Sequence, residues 1–109
     1  MAYDEGLAQR IREQLGEDEL VEKRMFGGLA FLERGNMVVG VIGDELIARV
    51  GEGSTDAALR RPGARLFDFT GRPMRGWIMV GGPALDEDET LGAWISDARG
   101  FVATLPPKR

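Results

Sequence analysis

A chain of 109 residues, 43% hydrophobic and 29% charged, has room for one hydrophobic core and reads as a single domain over 1–109. It holds no cysteine and no histidine, which excludes disulfides, thiolate nucleophiles, Cys/His zinc sites and the usual general base near neutral pH. A net charge of −4 opposes direct nucleic-acid binding, because phosphate affinity comes largely from neutralising lysines and arginines.

The start, "MAYDEGLAQR", is acidic and has neither the basic nor the apolar region of a signal peptide. No run approaches the roughly 18 consecutive apolar residues of a membrane span, so a cytoplasmic chain without membrane attachment is expected. From Tyr3 to Leu15, Leu7, Ala8, Ile11 and Leu15 recur at helical spacing, which predicts an amphipathic helix ending near Gly16. Asp4 and Glu5 suit its first turn, where the helix dipole favours negative charge. "GEDELVEK" then makes a charged connection.

Three strands follow. Arg24–Leu32 reads as the first, with the pair Gly27-Gly28 inside it. Glycine weakens a strand by about 0.5–1 kcal/mol relative to alanine, so the pair implies a close backbone approach, a turn or a bulge. Glu33-Arg34-Gly35-Asn36 reads as a turn. Met37–Ile42 is a short, nearly all-apolar run of the kind found in a central strand covered on both faces or in a strand lying under a helix. Gly43-Asp44 is a two-residue hairpin loop, and Glu45–Val50 returns as the third strand.

Ser54 or Thr55 is placed to cap a short helix, Asp56–Arg61, which Pro62-Gly63 terminates. Arg65–Phe69 alternates like a strand, Thr70–Pro73 turns, and Gly76–Val80 supplies a further strand. In the last element, Asp86 and Glu89 have capping-box spacing. Leu91, Trp94, Ile95, Ala98, Phe101, Val102 and Leu105 then form an apolar stripe, stopped by Pro106-Pro107. The elements predict an α+β fold: two layers, an antiparallel sheet with helices on one face, in the order α-β-β-β-α-β-β-α.

Catalytic patterns are missing. "GGLAFLERG" lacks the spacing of a dinucleotide fingerprint and the lysine of a phosphate-binding loop, and neither Ser54 nor Ser96 has an activating base. Asp86–Glu89 lacks the spacing and central glycine of a calcium loop and reads as acids at a helix N-terminus. No catalytic residue, metal or cofactor is expected, and the chain does not read as an enzyme.

Charge is uneven, however. Residues 4–22 hold seven acids and two arginines, whereas residues 60–75 hold Arg60, Arg61, Arg65, Arg72 and Arg75 against Asp68 alone. Arginine pairs bidentately with carboxylates and stacks on aromatics, so this segment is a candidate partner-binding surface as well as an ordinary solvated face.

"KRMFGGLAFLERGNMVVGVIGDELIARV", then "PGARLFDFTGRPMRGWIMV", then a final helix with a tryptophan, resembles the N-terminal domain of the TfoX/Sxy competence regulators. The likeness runs from the first helix to Leu105, and its most specific part is Arg24-Met25-Phe26-Gly27-Gly28. The resemblance implies a two-layer fold of the same order, with Met25–Gly28 in a structural role. Gly27-Gly28 would lie at a bulge or sharp bend, with Phe26 and Phe31 as core anchors. It also implies a transcriptional coactivator that works with a cyclic-AMP receptor-type activator rather than by reading DNA alone. The expected function is therefore a small regulatory domain that binds a protein, such as a transcription factor, through a sheet face or the arginine segment. The alternatives are a domain holding a small anionic ligand against Trp77 or Trp94, or a structural homodimer formed through an uncovered sheet face or edge.

Overall fold

The computed structural model describes residues 3–16, 20–68 and 71–107. The acidic connection at 17–19, and Phe69 and Thr70 at the end of an expected strand and the start of its turn, lie outside the described residues. Helix α1 (Glu5–Leu15) leads into strands β1 (Leu20–Met25), β2 (Gly28–Glu33), β3 (Asn36–Ile42) and β4 (Glu45–Arg49). Helix α2 (Thr55–Leu59), strands β5 (Ala64–Phe67) and β6 (Met74–Val80), and helix α3 (Asp88–Val102) complete the order. The strands form one antiparallel six-stranded sheet in the order β1-β2-β3-β4-β6-β5.

The fold class and the succession of elements are those expected, with one refinement. The first strand is folded back on itself: Met25 pairs with Gly28, so Phe26 and Gly27 form a two-residue hairpin turn between β1 and β2. Both turn residues have positive φ, 44° at Phe26 and 77° at Gly27, as the hairpin turn that matches strand twist requires. Arg34-Gly35 and Gly43-Asp44 make the next two tight connections, Glu33 pairing with Asn36 and Ile42 with Glu45. Gly28 has a separate reason to be glycine. A Cβ there would sit 2.1 Å from the Val41 carbonyl oxygen, so β2 and β3 could not approach as they do.

The three helices cover one face of the sheet. Leu7, Ile11 and Leu15 of α1, Ala58 of α2 and Leu91, Trp94, Ile95, Ala98 and Val102 of α3 pack on Leu29, Phe31, Val39, Val41, Leu46, Ala48, Ile78 and Val80. Trp94 is wholly buried, and the Arg61 guanidinium lies 3.5 Å from its ring centroid. The far end of α3 is tied to the β2–β3 turn. Asn36 donates to the Pro106 carbonyl at 2.9 Å, and Arg99 pairs with Glu33 at 3.2 Å.

The caps differ from expectation at two helices. Asp4 caps α1, accepting from the Leu7 amide at 3.1 Å. Neither Asp86 nor Ser54 caps through its side chain. A 3₁₀ turn over Gly82–Leu85 draws Asp86 into its own end, and α3 starts one residue later than the capping-box spacing implies. At α2 the buried Thr55 hydroxyl takes the polar role. It donates to the Gly51 carbonyl at 3.1 Å and accepts from the Gly76 amide at 2.8 Å, joining helix to β6.

Candidate functional site

Strand alternation sends the other half of the sheet's side chains to the face that no described helix covers. On it Ala30, Met37, Ile47 and Phe67 form a second apolar cluster, with Phe26, Leu32, Ile42, Trp77 and Met79 half-buried around them. The cluster is closed over its middle by two phenyl rings. Phe26 projects from the β1–β2 turn and Phe67 from β5, and they meet edge to face with centroids 6.0 Å apart.

Gly40 makes room for this. A Cβ at Gly40 would lie 3.2 Å from the tip of the Phe26 ring and 2.9 Å from the Leu29 carbonyl oxygen. Phe26 itself sits in the left-handed backbone region, which costs a non-glycine residue about 1–2 kcal/mol and is held only where packing over-determines it. The Met25-Phe26-Gly27-Gly28 string thus has a distinct job at each position. Phe26 and Gly27 turn the chain and set a ring over the sheet, Gly28 admits the neighbouring backbone, and Met25 is left exposed at the rim.

Methionine is concentrated here. Met37 and Met79 belong to the open-face cluster, and Met25 and Met74 are exposed beside it, Met74 paired in register with Phe67. Methionine is flexible and polarizable, and it is over-used on surfaces that adapt to a partner.

The polar groups of this face are arginine-centred. Arg65 holds Glu45 in a bidentate pair at 2.6 and 2.7 Å, which keeps the Glu45 carboxyl below the usual carboxylate range. Arg49 is different. Its guanidinium lies 4.8 Å from the Trp77 ring centroid and 5.7 Å from that of Phe101, with no carboxylate partner among the described residues. Desolvation lowers its pKa, though it stays charged.

The five arginines of the 60–75 segment are not gathered into one patch. Arg61 bonds Asp97 of α3 at 2.8 Å on the helical side, Arg65 bonds Glu45 on the open side, and Arg75 bonds Asp56 of α2 at 3.2 Å. Arg60 and Arg72 are exposed and have no ion-pair partner among the described residues. The two tryptophans are also separated by the sheet, Trp94 in the helical core and Trp77 on the open face. A cleft of about 550 Å³ lies between α2 and α3, and neither indole lines it; Val50, Ala58, Arg61, Asp97 and Phe101 do.

The chain matches the model of the TfoX N-terminal domain over residues 13–101. It belongs to that family. The matched span takes in all six strands, the Met25–Gly28 turn, the last turn of α1 and nearly all of α3. No curated protein and no solved structure matches the chain. Among the described residues no helix of this family member is long and apolar enough to cross a membrane.

Most of the open-face residues were within reach of the sequence. Phe26, Ile47, Phe67, Trp77 and Met79 share a face because strand alternation and the tight turns bring them there, whereas Met37 joins them only through the register shift at Phe31/Leu32, since plain alternation would place it with Val39 and Val41. The signal was the parity of Ile47, Trp77 and Met79 once Phe26-Gly27 is recognised as a turn; the bulges that bring in Met37 and Met74 leave no such mark.

Proposed function

We propose that this domain is a cytoplasmic regulatory module that works by holding a protein partner, such as a transcription factor, and not by catalysis. The reading rests on family membership together with one observation, the methionine- and aromatic-rich open face. Ring edges, thioethers and the stacked Arg49 give that face adaptable apolar contact beside a cation free of any described carboxylate. Arg60 and Arg72, which have no ion-pair partner among the described residues, supply further charge from the segment singled out by its arginine content, and Arg65 lies on the open face itself. Protein contact surfaces are enriched in aromatic residues, methionine and arginine, the combination found here.

The test is capture of partners from the native lysate by the tagged chain, quantified beside three variants. Trp77→Glu with Met79→Glu disrupts the open face, Arg60→Glu with Arg72→Glu reverses those two charges, and Asp97→Ala alters only the α2–α3 cleft. Enrichment of a transcription factor or a polymerase subunit that the open-face variant loses and Asp97→Ala keeps is the expected result. Capture that survives the open-face substitutions overturns the assignment of the face. Recovery of nothing but the chain itself favours a structural homodimer over a regulator.

A further inference from the structure

The sheet has two edges. β5 is four residues long and carries a register shift between Leu66 and Phe67, so it offers little regular backbone for pairing. β1 is six residues long and regular against β2 throughout, with all but its first residue exposed. Val21 and Met25 are two of the three exposed large hydrophobic residues in the described chain. We infer that β1 pairs antiparallel with β1 of a second copy, in the register that sets Lys23 opposite its own counterpart, and joins two domains into one continuous sheet.

The side-chain order argues for this occupant. Register with β2 puts Val21, Lys23 and Met25 on the open face and Glu22 and Arg24 on the helical face. A two-fold axis perpendicular to the sheet keeps each face on its own side, so only residues of like parity can oppose each other. Centred on Lys23, each Val21 meets Met25 of the second copy and each Glu22 meets Arg24. Both apolar residues and both charges find complements, twice over.

A shift of two residues either way loses this. One shift sets Glu22 against Glu22, and the other sets Arg24 against Arg24. The single mismatch in the favoured register is the Lys23 pair, whose long stems let the ammonium groups diverge into solvent. Glu22 is already oriented on the helical face by Arg12, which grips it at 2.7 and 2.8 Å, while Arg24 has no partner among the described residues. Pairing would extend the grip to an Arg12–Glu22–Arg24 chain across the axis. It would also place two open faces side by side, and it does not depend on which partner those faces take.

Sedimentation equilibrium of the full chain tests the inference. The expected mass in the micromolar range is twice the 11.9 kDa of one chain. Glu22→Lys and Arg24→Glu alone should each be monomeric under those conditions, since each sets like charges opposite. An equimolar mixture of the two should return to the double mass, because their charges complement each other. Both positions are exposed, so unchanged circular dichroism is the control for folding.

A second measurement uses the absence of cysteine. Lys23→Cys places the sole thiol on the axis, where opposed Cβ atoms lie about 4.5–5.5 Å apart, and should cross-link under mild oxidation many-fold faster than Glu22→Cys or Arg24→Cys. A wild-type chain that stays monomeric, a dimer that survives both charge reversals, or equal cross-linking at all three positions overturns the inference.

Discussion

The two faces of this sheet are built from the same strands and are filled differently. On the helical face, Trp94, Ile11, Leu46, Ile78 and Leu91 are wholly removed from water beneath three helices. On the open face, burial is complete only at Ala30 and Ile47, under the Phe26–Phe67 pair, and grades outward to half-buried Trp77 and Met79. One face is filled with rigid branched and aromatic side chains in a closed core. The other is filled with thioethers and rings around a strained turn. Stability should therefore reside mainly under the helices, leaving the open face tolerant of change and available for contact.

Substitutions should separate the two. Trp94→Ala empties the centre of the helical core and should cost about 3–5 kcal/mol, a large part of the stability of a domain this size, seen as a lower midpoint in denaturant unfolding. Gly28→Ala attacks the join between β2 and β3, where the new methyl would meet backbone. Its expected cost is about 2–3 kcal/mol, and equal stability would contradict the close approach. Phe67→Ala, on the open face, should cost only about 2 kcal/mol, since solvent and Met74 can fill the space.

At Phe26 two effects oppose each other. Phe26→Asn relieves about 1 kcal/mol of left-handed strain and loses the ring packing on Gly40 and Phe67. The melting temperature should fall by less than for Phe67→Ala, while partner capture is lost. A fall as large as that of Trp94→Ala would mean that the open face carries the core.

The smallest expected effect is electrostatic. Arg65 and Arg12 hold Glu45 and Glu22 below the usual carboxylate pKa of 4.5, chiefly through hydrogen bonds. A carboxyl with a lowered folded-state pKa contributes stability above its unfolded pKa and loses it as pH falls through the lowered value. Both pairs are partly exposed, so each is worth a few tenths of a kcal/mol. Glu45→Gln should accordingly be slightly less stable than wild type at pH 7 and equal to it well below pH 4.

Much of this architecture is legible in the chain. The Leu7–Leu15 and Leu91–Val102 stripes announce their helices, and Met37–Ile42 announces a central strand, which here lies under a helix on one face. The Phe26-Gly27 turn was harder to read because phenylalanine is a poor occupant of positive φ; its turn is fixed by where the ring must land, on Gly40, fourteen residues away in sequence. Asp86 fails to cap because a local 3₁₀ turn reaches it first. The arginine segment looks continuous in sequence, but the turns and strand alternation between α2 and β6 send Arg61, Arg65 and Arg75 to carboxylates on three different elements. Met25, Met37, Met74 and Met79, scattered in sequence, are the residues the fold gathers.

The central claim is that the open face is the contact surface, and those methionines report on it. Hydroxyl-radical footprinting of the captured complex against the free chain, read by mass spectrometry, is the most direct measurement. Oxidation of Met74 and Met79 should fall several-fold in the complex, while Leu59 of α2, on the helical face, keeps its free-chain rate. Unchanged oxidation of Met74 and Met79, with protection at Leu59 instead, would contradict the account.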